Sequence, residues 1–189
     1  MAADNPQKYN HKRTRALQVL SVIPACLWGS LIFGFSSQNA QESSGLSQKV
    51  TAALIEGAND AFSAGWSKAQ ILYYESFWEF WVRKAAHFTE YLIFGLLLVL
   101  PLYLCGLVGK RLVLTALLIA ACYATSDELH QFLSPGRSPG VRDVCIDTCG
   151  ALIGILLARA IYRRGRSSLF RGLVSFRANV LKARRDKAA

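Results

Sequence analysis

Four long apolar runs, separated by polar or basic stretches, dominate the hydrophobic pattern of the chain. They cover residues 16–35, 82–104, 111–132 and 143–162. At the rise of an α-helix each run extends about 30–35 Å, close to the hydrocarbon thickness of a bilayer. The pattern therefore predicts an all-α integral membrane protein built as a bundle of four transmembrane helices.

Charged residues predict the orientation of this bundle. The chain has 189 residues, of which 52% are hydrophobic, and a net charge of +10. Most of the 22 lysines and arginines lie in the N-terminal tail, at Lys110 and Arg111, and from Arg159 onward. Cytoplasmic segments are enriched in Lys and Arg, so both termini are predicted to be cytoplasmic. The first run is longer than a signal-peptide core and is predicted to be an uncleaved anchor in the cell membrane.

Basic tails flank the membrane domain. Residues 1–15 and 163–189 are predicted to be cytoplasmic, with residues 16–162 as the four-span domain between them. In the second tail, Leu169, Leu173 and Phe176 recur at helical spacing among arginines, which predicts an amphipathic helix on the anionic inner leaflet. Nucleic-acid binding is the alternative, but this tail is short and follows a membrane span. Membrane lipid is therefore the predicted partner, and no nucleic acid is expected.

The connection between the first two runs is predicted to be partly helical and to lie outside the cell. Ser47 is expected to cap a helix that continues to Phe62, with Val50 and Leu54 on its apolar side. Six aromatic residues precede the second run, and such clusters are typical of headgroup depth in a bilayer. These residues are Tyr73, Tyr74, Phe77, Trp78, Phe80 and Trp81.

The five cysteines show neither a metal-binding nor a disulfide pattern. Cys145 and Cys149 lie one helical turn apart, but the chain has no CxxC pair, and two thiols do not complete a zinc site. All five, including Cys26, Cys105 and Cys122, are predicted to be small residues of the helix core. No metal or other cofactor is predicted.

Strongly polar residues at the end of the third run indicate a functional site. Asp127 and Glu128 are adjacent carboxylic acids, and each costs about 2.5–3.5 kcal/mol to insert into hydrocarbon. They are expected to face other helices or a wet cavity. Counting along each helix places them in one layer with polar residues of the second and fourth runs. This predicted polar layer contains Lys84, His87, Glu90, Tyr91, Asp127, Glu128, Gln131, Asp143 and Asp147.

Most of these residues also have an ordinary structural explanation. Lys84 would extend along its helix to the surface, while His87 and Glu90 would bond only to each other. His130 would sit at the membrane interface, and Arg137 would be a loop charge. The joint pattern across three helices favours a shared polar site over these separate explanations.

Three sequence motifs accompany the apolar runs. They are RKxxHxxEY from Arg83, DExHQ from Asp127 with Arg137 after it, and DxxxxxxG from Asp143. Together with the FSSQ run from Phe35, they resemble the VanZ-like family of bacterial membrane proteins. The resemblance implies a four-span fold whose site is built from the motif residues.

The resemblance covers residues 35–158 and has one departure. Asp147 stands where the family often carries Asn, which adds a negative charge to the site. The founding member of the family is associated with resistance to the glycopeptide antibiotic teicoplanin. The resemblance therefore implies a role in the cell envelope, and an antibiotic-resistance role is an expectation by resemblance alone.

The favoured function is binding or remodelling of an anionic lipid or a lipid-linked envelope precursor in the outer leaflet. Lys84 and Arg137 would hold the headgroup, and Tyr91 and Gln131 would add hydrogen bonds. A phospholipid or a lipid-tailed antibiotic would fit the same arrangement. The candidate ligand-binding residues are Lys84, Tyr91, His130, Gln131, Arg137, Asp143 and Asp147.

An intramembrane hydrolase or transferase acting on a lipid headgroup is the alternative. His87, oriented by Glu90, would act as a base, with Asp127 or Glu128 as acid, nucleophile or metal ligand. These oxygen ligands would suit Mg²⁺ or Mn²⁺, but the motifs of covalent and zinc hydrolases do not occur in the sequence. Proton or ion transport is a third hypothesis, although the inner halves of the runs carry almost no polar residues.

Overall fold

Five α-helices make up the part of the chain that the structure describes. The computed structural model covers the backbone of residues 6–133 and 140–164, and the side chains of residues 16–39, 41–133 and 140–162. Arg137 and the predicted amphipathic tail helix lie outside the described residues. The helices are Pro6–Ser36 (α1), Ala40–Ala61 (α2), Lys68–Leu104 (α3), Gly109–Gln131 (α4) and Val141–Arg164 (α5).

Four of these helices are long and apolar enough to cross a membrane. The candidate spans lie in Ala16–Ser36 of α1, in α3, in α4 and in Val141–Tyr162 of α5. This confirms the predicted all-α membrane protein with four spans. The fifth helix, α2, lies in the connection between the first and second spans. That both termini face the cytoplasm stays a prediction.

α3 begins much earlier than the hydrophobic pattern predicts. Instead of starting near Val82, it starts at Lys68 behind a capping box: Gln70 N donates to Ser67 Oγ, and Ser67 N donates to Gln70 Oε1 at 2.9 Å. The aromatic cluster is therefore part of the helix. With 37 residues α3 is about 55 Å long, so its part before Lys84, called the projecting part below, extends beyond a hydrocarbon layer of about 30 Å.

α2 also differs from the prediction, because its N-terminal cap is Asn39 and not Ser47. Asn39 Oδ1 accepts from Glu42 N at 2.9 Å, while Glu42 Oε2 accepts from Asn39 N. Ser47 lies inside the helix, and its hydroxyl donates to Glu79 of α3 at 3.0 Å. Ser44 accepts from Arg83 Nη1 at 3.1 Å. α2 therefore packs on the projecting part of α3 through polar contacts, and Val50 and Leu54 of the predicted apolar side are exposed.

Glycines set the close packing of α5 against α3. A Cβ atom at Gly150 would collide with the backbone carbonyl of Phe88, and one at Gly154 with that of Leu92. From the other side, a Cβ at Gly95 would collide with Ala151. The two backbones approach each other this closely only because small residues occupy the interface.

A stripe of small residues on α4 directs the polar end of that helix into the bundle. Ala116, Ala120 and Ala124 follow at one-turn spacing and are fully buried. The same face continues into Asp127 and Gln131, because residues three and four apart lie above one another on a helix. The apolar interior of the bundle thus changes into a polar interior near the end of α4.

Polar contacts hold α1 against α3 and α4. The Tyr123 hydroxyl of α4 donates to the Gly29 carbonyl at 2.6 Å, and Gln18 Nε2 donates to the Leu104 carbonyl at 2.9 Å. Gly29 has room for no large side chain at this point, since Tyr123 and Phe94 lie against it. α1 is therefore part of the bundle from Gln18 onward.

The predicted place of the cysteines was wrong. Cys26, Cys105, Cys122, Cys145 and Cys149 are all exposed free thiols. The described interior is occupied instead by large residues such as Tyr91 and Ile155, by alanines and glycines where the helices approach closely, and by the buried polar residues.

Candidate functional site

Asp127 lies at the centre of a buried hydrogen-bond network that joins α1 to α4. Its side chain is 1% exposed. The Ser36 hydroxyl donates to Asp127 Oδ2 at 2.8 Å, and Gln131 Nε2 donates to the same oxygen at 3.0 Å. Gln131 Nε2 also lies 3.3 Å from Ser36 Oγ. One carboxylate thus connects the end of α1 to the end of α4.

A salt bridge between α3 and α5 lies in the same region. Lys84 Nζ is 2.6 Å from Asp143 Oδ1, with side chains that are 18% and 25% exposed. The Phe80 ring lies beside Lys84, at 5.6 Å from its centroid, and beside Arg142, at 5.2 Å. Two cations therefore border one aromatic ring at this edge of the polar layer.

Asp147 lies one turn further into the bundle than Asp143. It is 2% exposed, and its Oδ1 has no hydrogen-bond partner among the described residues. Tyr91 of α3 is fully buried next to Asp147. The carboxyl groups close enough to act on Asp147 electrostatically are those of Asp127, Glu128, Asp143 and Glu90.

Glu128 connects α4 to the beginning of α5. Its side chain is buried, and Oε2 accepts a hydrogen bond from the backbone N–H of Gly140 at 3.0 Å. Gly140 directly precedes α5 and accepts backbone hydrogen bonds from Asp143 and Val144. A carboxylate at the end of one span therefore holds the start of the next.

His87 and Glu90 form the i, i+3 pair that their spacing predicts. His87 Nδ1 lies 3.6 Å from Glu90 Oε2, and both side chains are partly buried. The backbone carbonyl of Glu90 accepts a hydrogen bond from Trp28 Nε1 of α1 at 2.8 Å. α1 thus supports this pair from the side.

His130, a predicted ligand-binding residue, lies against α1. Its Nε2 is 3.1 Å from Ser37 Oγ, and its ring stacks on Phe33 with the ring centroids 4.1 Å apart. The residue is partly buried and lies close enough to Asp127 to interact with it electrostatically. Its contacts are those of a residue that packs α4 on α1.

The contribution of α1 was missing from the site predicted by helix counting. Ser36 reaches the central carboxylate, and Trp28 reaches the backbone of Glu90. The sequence signal for Ser36 is the FSSQ run from Phe35, which belongs to the family resemblance. A serine at the end of an apolar run has many ordinary roles, so the sequence did not single it out.

Carboxyl groups outnumber cations among the described residues of the polar layer. Clustered carboxylates repel one another, and they are tolerated when protons, cations or hydrogen-bond donors are near. In the described parts of the chain no group of three or more His, Cys, Asp or Glu residues is arranged to hold a metal ion. The layer therefore offers mainly hydrogen-bond acceptors. The carboxyl groups are those of Glu90, Asp127, Glu128, Asp143 and Asp147, beside the one lysine, Lys84.

An apolar groove of about 420 Å³ lies beside the polar layer, between α1, α2 and α3. Its volume falls within the roughly 300–1,000 Å³ typical of small-molecule sites. Ile32 of α1, Val50 of α2 and Ile93 of α3 contribute to its walls, and Thr89 and Glu90 contribute polar groups. Glu90 therefore belongs both to the groove and to the polar layer.

The match to a family of known proteins extends over most of the bundle. The sequence model of the VanZ/LLP1 family matches residues 21–162, from within α1 to within α5. The chain belongs to the VanZ/LLP1 family. Because the match includes every residue of the polar layer and both Trp28 and Ser36, the VanZ/LLP1 region contains the whole candidate site. No curated protein and no solved structure matches the chain.

Removing either member of the Lys84–Asp143 pair is expected to destabilise this VanZ/LLP1 bundle. Removing both is expected to cost less stability than the sum of the two single losses. In a double-mutant cycle with Lys84→Met and Asp143→Asn, we expect a coupling of about 1 kcal/mol in the free energy of unfolding, because the pair is short and mostly shielded. Unfolding in mixed micelles measures it. The control pair is Arg83 and Glu79, at 3.8 Å, for which we expect less than about 0.5 kcal/mol. Equal coupling in both cycles would contradict a special role for Lys84 and Asp143.

Proposed function

We propose that this protein binds a membrane lipid, with the lipid headgroup in the polar layer and a hydrocarbon chain in the apolar groove. One observation carries the proposal: Glu90 lines the groove and is also an electrostatic neighbour of Asp147 in the layer. A ligand that is apolar at one end and polar at the other fits such a junction. A membrane lipid has both ends.

The layer favours a headgroup that carries phosphate together with hydrogen-bond donors. Lys84 and Arg142, which flank Phe80, are suited to a phosphate group, and Lys84 would exchange Asp143 for it. The carboxyl groups, in contrast, need donors. Asp147 Oδ1 is a buried acceptor without a described partner, and a hydroxyl or amine of the ligand would supply one.

Phospholipids with hydroxyl or amine headgroups and lipid-linked envelope precursors combine these features. In a lipid-linked sugar, the phosphate provides the anion and the sugar hydroxyls provide many donors. With the orientation predicted by the positive residues, the layer would face the outer leaflet of the cell membrane, where such precursors are used.

Filling the groove is expected to remove bound lipid. Ile93→Trp places a larger side chain in the groove, and we expect at least a tenfold fall in the fraction of protein that retains as many phosphatidylglycerol molecules as wild type, because the hydrocarbon chain loses its place. Native mass spectrometry of purified protein with added lipid measures this fraction. Leu118→Trp is the matched control, since Leu118 is exposed on α4 and does not line the groove. Unchanged retention in Ile93→Trp would overturn the proposal.

The headgroup is tested by comparing lipids with the same chains. Phosphatidylglycerol and phosphatidylethanolamine carry a phosphate and donors, whereas phosphatidylcholine carries a phosphate without a donor. We expect the first two to be retained better than phosphatidylcholine, since only they satisfy the carboxyl groups. Equal retention of all three lipids would show that the polar layer does not discriminate between headgroups.

An enzyme acting on the bound lipid is the second candidate function. The observation that favours it is the His87–Glu90 pair at the border of the groove, where a base would meet the headgroup. The test is mass spectrometry of the retained lipid, which detects the products of hydrolysis or group transfer. Lipid that stays unchanged in wild type and in His87→Gln alike would leave binding as the function.

A further inference from the structure

We infer that a second lipid site lies at the opposite end of the bundle, where Arg159 would bind the phosphate of an anionic phospholipid. The site is a cavity of about 300 Å³ between α3, α4 and α5. Arg159 of α5 lines it together with Leu112 of α4 and Val99 of α3. We call this cavity the arginine pocket.

The arginine pocket combines a cation with aromatic and aliphatic walls. Tyr103 and Tyr162 also line it, and their rings stack with the centroids 5.9 Å apart and an angle of 8° between the planes. No hydrogen bond or ion pair of Arg159 occurs within the described part of the chain. A guanidinium group beside an apolar cavity is suited to a phosphate whose attached glycerol and chains enter the cavity.

The charge distribution excludes an internal partner for Arg159 among the described residues. Their acidic residues lie on α2, on the projecting part of α3 or in the polar layer, and Arg159 is 16 residues beyond Asp143, about 24 Å along α5. Lys110 and Arg111 begin α4 at the same end. Basic pockets between transmembrane helices on the cytoplasmic side bind anionic headgroups, and this end of the bundle is predicted to be cytoplasmic. This second site is independent of the polar layer and of the function proposed for it.

Replacing Arg159 tests the inference through lipid selectivity. The background is Ile93→Trp, so that the apolar groove does not contribute, and the probes are phosphatidylglycerol and phosphatidylcholine with matched chains. In this background we expect native mass spectrometry to show that phosphatidylglycerol is retained about tenfold better than phosphatidylcholine. Adding Arg159→Gln is expected to remove nearly all of this preference, because a charge-assisted contact is lost. Arg111→Gln is the matched control, since it removes the same charge from an exposed position that does not line the pocket.

Two further measurements separate the outcomes. Inorganic phosphate is expected to compete poorly with phosphatidylglycerol, since the cavity also holds the attached apolar part; full displacement by phosphate would overturn a lipid site in favour of a simple anion site. If Arg159→Gln does not fold, Arg159→Lys keeps the charge but loses the planar fork, and we expect it to lower the selectivity about threefold. Selectivity that is unchanged in the Arg159 variants, or equally reduced by Arg111→Gln, would refute the arginine pocket.

Discussion

Substitution of Gly154 by leucine is expected to prevent the formation of a stable, monodisperse protein. A Cβ at this position already collides with the Leu92 carbonyl, and the atom it meets belongs to backbone, which does not move aside as a side chain would. α3 and α5, the two helices in most extensive contact, would have to separate. Gly154→Ala is expected to lower the free energy of unfolding by about 3 kcal/mol.

Size-exclusion chromatography and thermal unfolding in detergent check this prediction. Gly34→Ala is the matched control, because Gly34 lies inside α1 with no atom within 4 Å of an added Cβ. It is expected to be neutral or slightly stabilising, since alanine is the better helix former. If Gly154→Ala were as stable as Gly34→Ala, the close packing of α3 against α5 would be contradicted.

Loss of the Asp127 carboxylate is expected to have the second largest effect. Asp127→Ala removes the common acceptor of Ser36 and Gln131 and leaves a space between α1 and α4, for which we expect a loss of about 3 kcal/mol in stability. Asp127→Asn keeps a carbonyl oxygen for both donors and removes one charge from the cluster around Asp147. It is expected to fold at least as well as wild type.

The comparison of these two variants separates hydrogen bonding from charge. Ser126→Ala on the same helix is the control, because Ser126 is exposed and donates only to the Tyr123 carbonyl one turn before it. Chemical unfolding in mixed micelles gives the three stabilities. If Asp127→Asn destabilises as strongly as Asp127→Ala, the negative charge itself holds the site together, and the acceptor network described above is secondary.

The sequence was sufficient to predict the four spans but not the full length of α3. Apolar length is a local property, so the runs could be located without knowing any contact. The segment before Val82 carries Glu75, Glu79 and a dense set of aromatic residues. This composition is typical of the membrane–water interface, so the apolar pattern does not show that the helix already begins there. The local signal for the observed start is the capping-box pair of Ser67 and Gln70.

The sequence predicts which residues lie in the polar layer better than it predicts which of them contact one another. Helix counting placed Lys84 and Asp143 at similar depth, and the structure shows their nitrogen and oxygen in contact. Which partner each group takes depends on how the helices rotate and approach, and that is set by glycine and alanine contacts spread over the whole interface. For the same reason Ser36 was missed: its role exists only because α1 ends beside Asp127.

The unbroken course of α3 makes it a rigid rod that links two environments. Its one proline, Pro101, lies near the end remote from the projecting part, and long helices without an internal break bend only gently. A force applied at Trp78, in the projecting part, would therefore tilt Lys84 with it and lengthen its contact with Asp143. The tilt of the projecting part is in this way coupled to the Lys84–Asp143 contact without the unfolding of any helix.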